Sequence, residues 1–127
     1  MRLAVSMIVA AVVVAQPAAA QTAADGAKLF AARCGVCHYA PDKMPQQARM
    51  GPSLRGIVGR KAGTLPSFPR YSKAMKSFGK PWTTPLLDTY LNSPQKVVPG
   101  TIMAFAGLKQ PAERAAVVAY LKANSGH

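Results

Sequence analysis

Two cysteines three positions apart, Cys34 and Cys37, are followed directly by a histidine, His38. That C-x-x-C-H pattern is the attachment site of a c-type haem: each thiol adds to one vinyl group of the porphyrin, and the adjoining imidazole faces the iron. The 127 residues hold only two cysteines and two histidines. Shuffling this composition reproduces the motif about once in 4000 trials, so the spacing carries information. Two other chemistries use a C-x-x-C pair. A thioredoxin-like redox pair follows a strand in a βαβ unit, whereas residues 25–33 before Cys34 read as a helix. A structural zinc site takes four ligands, and the other histidine is the terminal His127.

The elements that position these residues must come from one small domain. Residues 1–20 read as a secretory signal peptide: Arg2 supplies a positive start, Leu3 to Ala15 an apolar stretch, and Ala18-Ala19-Ala20 a small-residue cleavage site before Gln21. The competing reading is a retained membrane anchor, although Gln16 and Pro17 interrupt the apolar stretch and it is short for a span. No transmembrane segment is expected in the mature chain. Export would place the cysteines in an oxidising compartment such as the periplasm, but two cysteines so close together cannot staple a fold. A domain of this size has a marginal core, which a covalently held porphyrin would complete.

Removing Arg2 leaves 15 basic and 4 acidic side chains. This excess implies an acidic partner. Nucleic acid is excluded by the expected export, by the lack of a basic run and by the absence of a recognition-helix motif. An acidic electron-transfer partner is the preferred reading. Basic residues spread singly along a chain are also what an ordinary solvated surface shows.

The pattern predicts an all-α fold with three main helices and long loops. Asp25 to Cys37 reads as the first helix with Asp25 as its N-cap. Gly26 inside it makes sense where another backbone approaches closely. Residues 39–50 read as a loop, and residues 51–63, with four glycines, as a segment that wraps around something. Tyr71 to Ser77 reads as one or two helical turns. A second helix starts at Thr84 with proline at its first helical position and ends before Pro94. Gln95 to Gly107 reads as a loop, and Pro111 to Ala123 as the clearest helix, with Val117, Val118 and Leu121 on one face. No strand pattern and no internal repeat is evident.

From Gly26 to Leu121 the chain resembles the class I cytochromes c, in particular the mitochondrial type and its bacterial relatives. Beyond the C-x-x-C-H motif the resemblance rests on Gly51-Pro52-Ser53-Leu54-Arg55-Gly56, Gly59-Arg60-Lys61-Ala62-Gly63, Trp82, Tyr90-Leu91, Pro94, Pro99-Gly100-Thr101-Ile102-Met103-Ala104-Phe105, Glu113-Arg114 and Tyr120-Leu121. It implies a small cytochrome c fold over residues 21–127 around one covalent haem c. It also implies a monomeric one-electron carrier of a respiratory chain, not an enzyme, whose partners are membrane respiratory complexes or a periplasmic oxidoreductase with an acidic docking face. A dedicated haem c subunit of a periplasmic dehydrogenase complex is the alternative, and a catalytic or gas-binding haem protein with a weak sixth ligand is the third reading.

Most methionines are core filler, but one is needed at the metal. Met103 lies 65 residues after His38 in a loop stiffened by Pro99 and Gly100, and the family's distal methionine occupies its Pro-Gly-Thr-x-Met-x-Phe position. Met75 is the second candidate; Met44 and Met50 are tethered close to the attachment site. A His/Met pair fills both axial positions and raises the potential. The resemblance further implies that the Pro52 carbonyl orients His38 and that Tyr90 donates towards the methionine sulfur. It implies that Arg60, Tyr71 and Trp82 bind the buried propionate, and that Thr101 belongs to the cofactor site. It pairs Gly26 and Phe30 with Tyr120 and Leu121 where the first and last helices cross. Two positions depart from the family pattern: Met75 stands where many relatives have asparagine, and Ile102 where the mitochondrial type has lysine. The candidate basic rim is then Arg33, Lys96 and Lys109, with Lys61 and Lys73.

Overall fold

The computed structural model describes residues 9–15, 18–43 and 49–126. The expectations for the start of the signal segment, for Met44 and for His127 lie outside the described residues. Five helices follow one another: α1 (Ala18–Arg33), α2 (Lys73–Phe78), α3 (Thr84–Asn92), α4 (Pro94–Val97) and α5 (Pro111–Ala123). Among the described residues the only β pairing is an isolated bridge between Lys61 and Pro81. The three longer helices are α1, α3 and α5.

The first helix differs from expectation at both ends. Asp25 is not its N-cap, because the run of alanines upstream has the highest helix propensity of any residue and carries the helix back to Ala18. Its far end stops at Arg33, not Cys37. There the amides of Cys34 and Gly35 both turn back to the Phe30 carbonyl, at 2.8 and 2.9 Å, and the amides of Cys37 and His38 both bond the Cys34 carbonyl, at 3.0 and 2.9 Å. The thiols therefore sit on a tight turn that ends a helix, not on the helix itself.

The closest helix approach is where α1 meets α5. A Cβ on Gly26 would strike the Ala116 carbonyl oxygen and lie 2.6 Å from its carbon and 2.8 Å from Tyr120 Cβ. Only a residue without a side chain lets the two backbones come so near. One turn along, the buried Phe30 ring meets Tyr120 edge-on, centroids 5.6 Å apart. On α5 the buried face is Ala116, Val117, Tyr120 and Leu121, with Val118 only partly buried. Pro111 opens that helix, Glu113 lies in its first turn and Lys122 in its last, the charge order that the helix dipole favours.

The helix α2 is capped at both ends: Ser72 accepts from the Met75 amide at 3.0 Å, and Gly79 adopts φ +52°. Thr83, one residue before the expected start, caps α3 by accepting from the Leu86 amide at 3.2 Å. The segment expected to be loop from Gln95 begins with α4. Pro94 does stop α3, but its fixed φ also suits the first position of a new helix. One ion pair fastens the far end of this layer: Arg114 Nε meets Asp88 Oδ1 at 3.0 Å, and its Nη1 donates to the Leu108 carbonyl at 3.0 Å. Ahead of α1, Val9, Val12, Val13 and Val14 are all exposed, and no described helix is long and apolar enough to cross a membrane.

Candidate functional site

The helices and loops close around a cavity of about 360 Å³. Every predicted site residue lines it: Cys34, Cys37 and His38 from the turn after α1, Pro52 and Arg60 from the irregular segment, Tyr71 before α2, Trp82 just before α3 and Tyr90 within it, and Thr101 and Met103 beyond α4. The remaining walls are mostly hydrocarbon, including Ile57, Phe68, Leu87, Leu91, Phe105 and Leu121.

His38 is the buried polar residue of this core. Its Nδ1 lies 2.7 Å from the Pro52 carbonyl oxygen. A carbonyl can only accept, so the proton sits on Nδ1 and the Nε2 lone pair is left free to bind. Burial pushes the imidazole pKa below its ordinary value, opposed by the bond to Pro52, and a neutral ring is the form that ligates a metal. Gly51 sets the ring's other boundary. A Cβ there would fall 2.7 Å from Nδ1 and 2.8 Å from Nε2, while its own amide donates to the Cys37 carbonyl at 2.9 Å. Sequence reasoning assigned Gly51 no role towards His38, because nothing in the chain signals contact between a glycine and a ring thirteen residues away.

Cys34 and Cys37 are both free and half-buried. Burial pushes the Cys34 thiol up to about 11, with Arg33 opposing. A dithiol redox centre works through a thiolate at neutral pH, which burial of Cys34 disfavours. Among the described residues no three of histidine, cysteine, aspartate and glutamate gather as a metal site.

The hydroxyl of Tyr90 donates to Met103 Sδ at 3.2 Å, and the Met103 amide donates to Thr101 Oγ1 at 3.3 Å. Burial raises the Tyr90 pKa, and a side-chain bond with Thr101 lowers it in part. The three side chains thus form a linked cluster that fixes one sulfur. Met75 also lines the cavity, as does Met50, which is 74 % exposed and sits at the mouth. Trp82 packs between Phe78 and Tyr90, centroids 5.5 and 4.8 Å away.

Arg60 supplies the cavity's electrostatic signature. Its guanidinium donates to the carbonyls of Ser53 at 2.7 Å and Arg55 at 3.2 Å. The ion pairs among the described residues lie elsewhere, at Asp42 and Asp88. Burial lowers its pKa, and the neighbouring Tyr71 hydroxyl, itself raised by burial, opposes that. A half-buried cation without a carboxylate invites an anionic ligand. Of the rim residues, Arg33 and Lys61 line the mouth while Lys73, Lys96 and Lys109 are exposed away from it. Between the charges the mouth carries Val36, Met50 and Ile102, all more than 60 % exposed.

The donor set fits an iron porphyrin. Two thiols, a free imidazole nitrogen and a fixed thioether share one apolar space, and the half-buried Arg60 guanidinium could receive an acidic group there. A helical shell of this kind is a holder for haem c. The Cytochrome c family profile matches residues 23–125. The chain is 45 % identical over 95 residues to a cytochrome c2 of Rhodomicrobium vannielii, covering 74 % of this chain and 73 % of that one. It is 56 % identical over 73 residues to a cytochrome c of Trypanosoma brucei brucei, covering 58 % and 77 %. Cytochrome cH from Methylobacterium extorquens superposes with a TM-score of 0.71 at 39 % identity, over 80 % of this chain and 97 % of that one. The chain belongs to the cytochrome c family. It is therefore an electron carrier, not an enzyme, and binds one covalent haem c.

Proposed function

We propose that this chain is a soluble carrier of single electrons in a bacterial respiratory chain, exported to the periplasm after cleavage of residues 1–20. Haem c supplies a one-electron couple whose potential is raised by thioether ligation. Cys34 and Cys37 would hold the porphyrin through thioether bonds, and His38 Nε2 and Met103 Sδ would hold its iron. The Pro52 carbonyl keeps the imidazole turned and increases its electron donation. Arg60, Tyr71 and Trp82 receive the inner propionate, and Tyr90 with Thr101 holds the sulfur in place. With the iron held by both His38 and Met103, no ligand position would be left for oxygen, and the apolar walls would keep water from the couple.

The observation that carries this reading is the Tyr90 hydroxyl on the Met103 sulfur at 3.2 Å. A thioether serving only as filler has no need of a donor aimed at it. Oxidised and reduced optical spectra of the purified holoprotein and of Met103→Ala test the assignment. The native ferric protein should show the weak red thioether-to-iron absorption, and the variant should lose it. Retention of that absorption contradicts Met103 as a ligand. Carbon monoxide should leave the reduced native spectrum unchanged at neutral pH.

A second reading has its own support. The exposed Val36, Met50 and Ile102 at the mouth form the apolar surface that a dedicated subunit of a periplasmic dehydrogenase complex would bury. Size exclusion of the native extract separates the two: elution as a free monomer favours the carrier, co-elution with a dehydrogenase the subunit.

A further inference from the structure

Met103 is held at three of its atoms, and only two of the holders have been given a role. Thr101 takes its amide and Tyr90 takes its sulfur. Its carbonyl oxygen accepts from Gln95 Nε2 at 2.6 Å. The same oxygen receives the Phe105 amide at 3.0 Å, so it is the point where two donors converge.

The segment around it has little else to fix its path. Residues 101–110 form no helix or strand. The Thr101 amide bonds the Val98 carbonyl at 3.0 Å, just outside the segment, and the next backbone tie to the body is the Leu108 amide on the Leu91 carbonyl at 2.7 Å. Among the described residues, the hydrogen bonds that reach residues 102–107 from outside the segment are those from Tyr90 and Gln95. Gln95 is well placed to act as an anchor. It projects from α4, whose first residue, Pro94, is almost fully buried, and the residue that closes α4, Val98, is 2 % exposed. The amide therefore hangs from a short element pinned at both ends.

We propose that Gln95 is a positioning residue for Met103: its side-chain amide clamps the Met103 carbonyl and so keeps the thioether in the cavity. The proposal rests on the reading of Met103 as an axial ligand. A clamp of this kind acts through the loop's local opening, which is the step an incoming ligand must wait for. Losing one ordinary hydrogen bond multiplies that opening by about fivefold.

The test uses the ferric holoprotein and three variants. Gln95→Ala removes the donor, Gln95→Glu keeps the shape but cannot donate at pH 7, and Gln95→Lys keeps a donor on a long stem. The readouts are the binding constant for added imidazole, followed by loss of the red absorption, and the exchange rate of the Phe105 amide hydrogen. Gln95→Ala and Gln95→Glu should raise both by about fivefold, with Gln95→Lys close to native. A role confined to packing of α4 would leave Gln95→Glu like the native protein, and that result overturns the clamp. If Met103→Ala loses the red absorption and Gln95→Glu alters neither readout, the clamp alone fails. If Met103→Ala keeps the red absorption, the ligand reading fails and takes the clamp with it.

Discussion

Replacing Gly51 with alanine should raise the midpoint potential of the holoprotein. Gly51 is not among the glycines with positive φ, so its backbone suits alanine and only the added methyl acts. That methyl would fall 2.7 Å from His38 Nδ1 and 2.8 Å from Nε2. The nearest ring atom, Cε1, would lie closer still; ordinary carbon contacts begin near 3.5 Å, so ring and backbone must part by roughly 1.1 Å. The bond from Nδ1 to the Pro52 carbonyl starts at 2.7 Å, and a displacement of that size takes it beyond the useful range. Such a bond is worth about 0.5–1.5 kcal/mol net. The bond enriches the imidazole with electrons, which favours the ferric state, so its loss favours the ferrous state. Felt wholly in one oxidation state, the loss is an upward shift of about 20–65 mV. Spectroelectrochemical titration measures the potential, and the proton resonance of His38 Nδ1 reports the bond directly. A weakened bond with an unchanged or lowered potential would refute the reasoning.

Gly26→Ala should lower stability by about 1–2 kcal/mol, since overpacking against the Ala116 carbonyl outweighs the gain in helix propensity; denaturant unfolding of the holoprotein checks this, and a more stable variant would show that the helices can part freely. The Tyr120 hydroxyl donates to Asp42 Oδ1 at 3.1 Å, and burial, then that bond, push its pKa up to about 12. Its folded value lies above its unfolded value near 10, so its contribution is complete below about pH 10 and lost as pH rises towards 12. Alkaline unfolding of Tyr120→Phe should therefore be less steep in that window than that of the native protein. Arg33→Glu and Lys61→Glu at the mouth should slow association with an acidic redox partner and flatten its salt dependence, measured by stopped-flow; an association rate indifferent to salt in the native protein removes the steering argument.

The fold was most legible where the chain carries punctuation. Pro111 and the charge order after it define α5 to the residue, because a proline at the first position and a dipole-matched sequence leave few other choices. The start of α1 was misread, since Asp25 is a good cap and only the propensity of the upstream alanines argues otherwise. α4 was missed because Pro94 ends one helix and begins the next, and a stop signal hides a start signal. At the site, the cysteines and His38 are legible from spacing alone. The neighbours of Met103 and His38 become legible only through family resemblance, because Tyr90 and Pro52 meet them through the tertiary fold. Gly51 beside the imidazole and Gln95 on the Met103 carbonyl were legible from neither. A glycine says nothing about what it touches, and an exposed glutamine looks like any other surface residue.

The crossing of α1 and α5 has a consequence for how the protein is made. Of the described helices, the one that crosses α1 comes last in chain order. Until Ala116 exists, Gly26 has nothing to rest against, and Phe30 lacks the Tyr120 ring. α1, which leads into the thiol-bearing turn, therefore exists as chain well before the helix whose backbone and ring complete its packing.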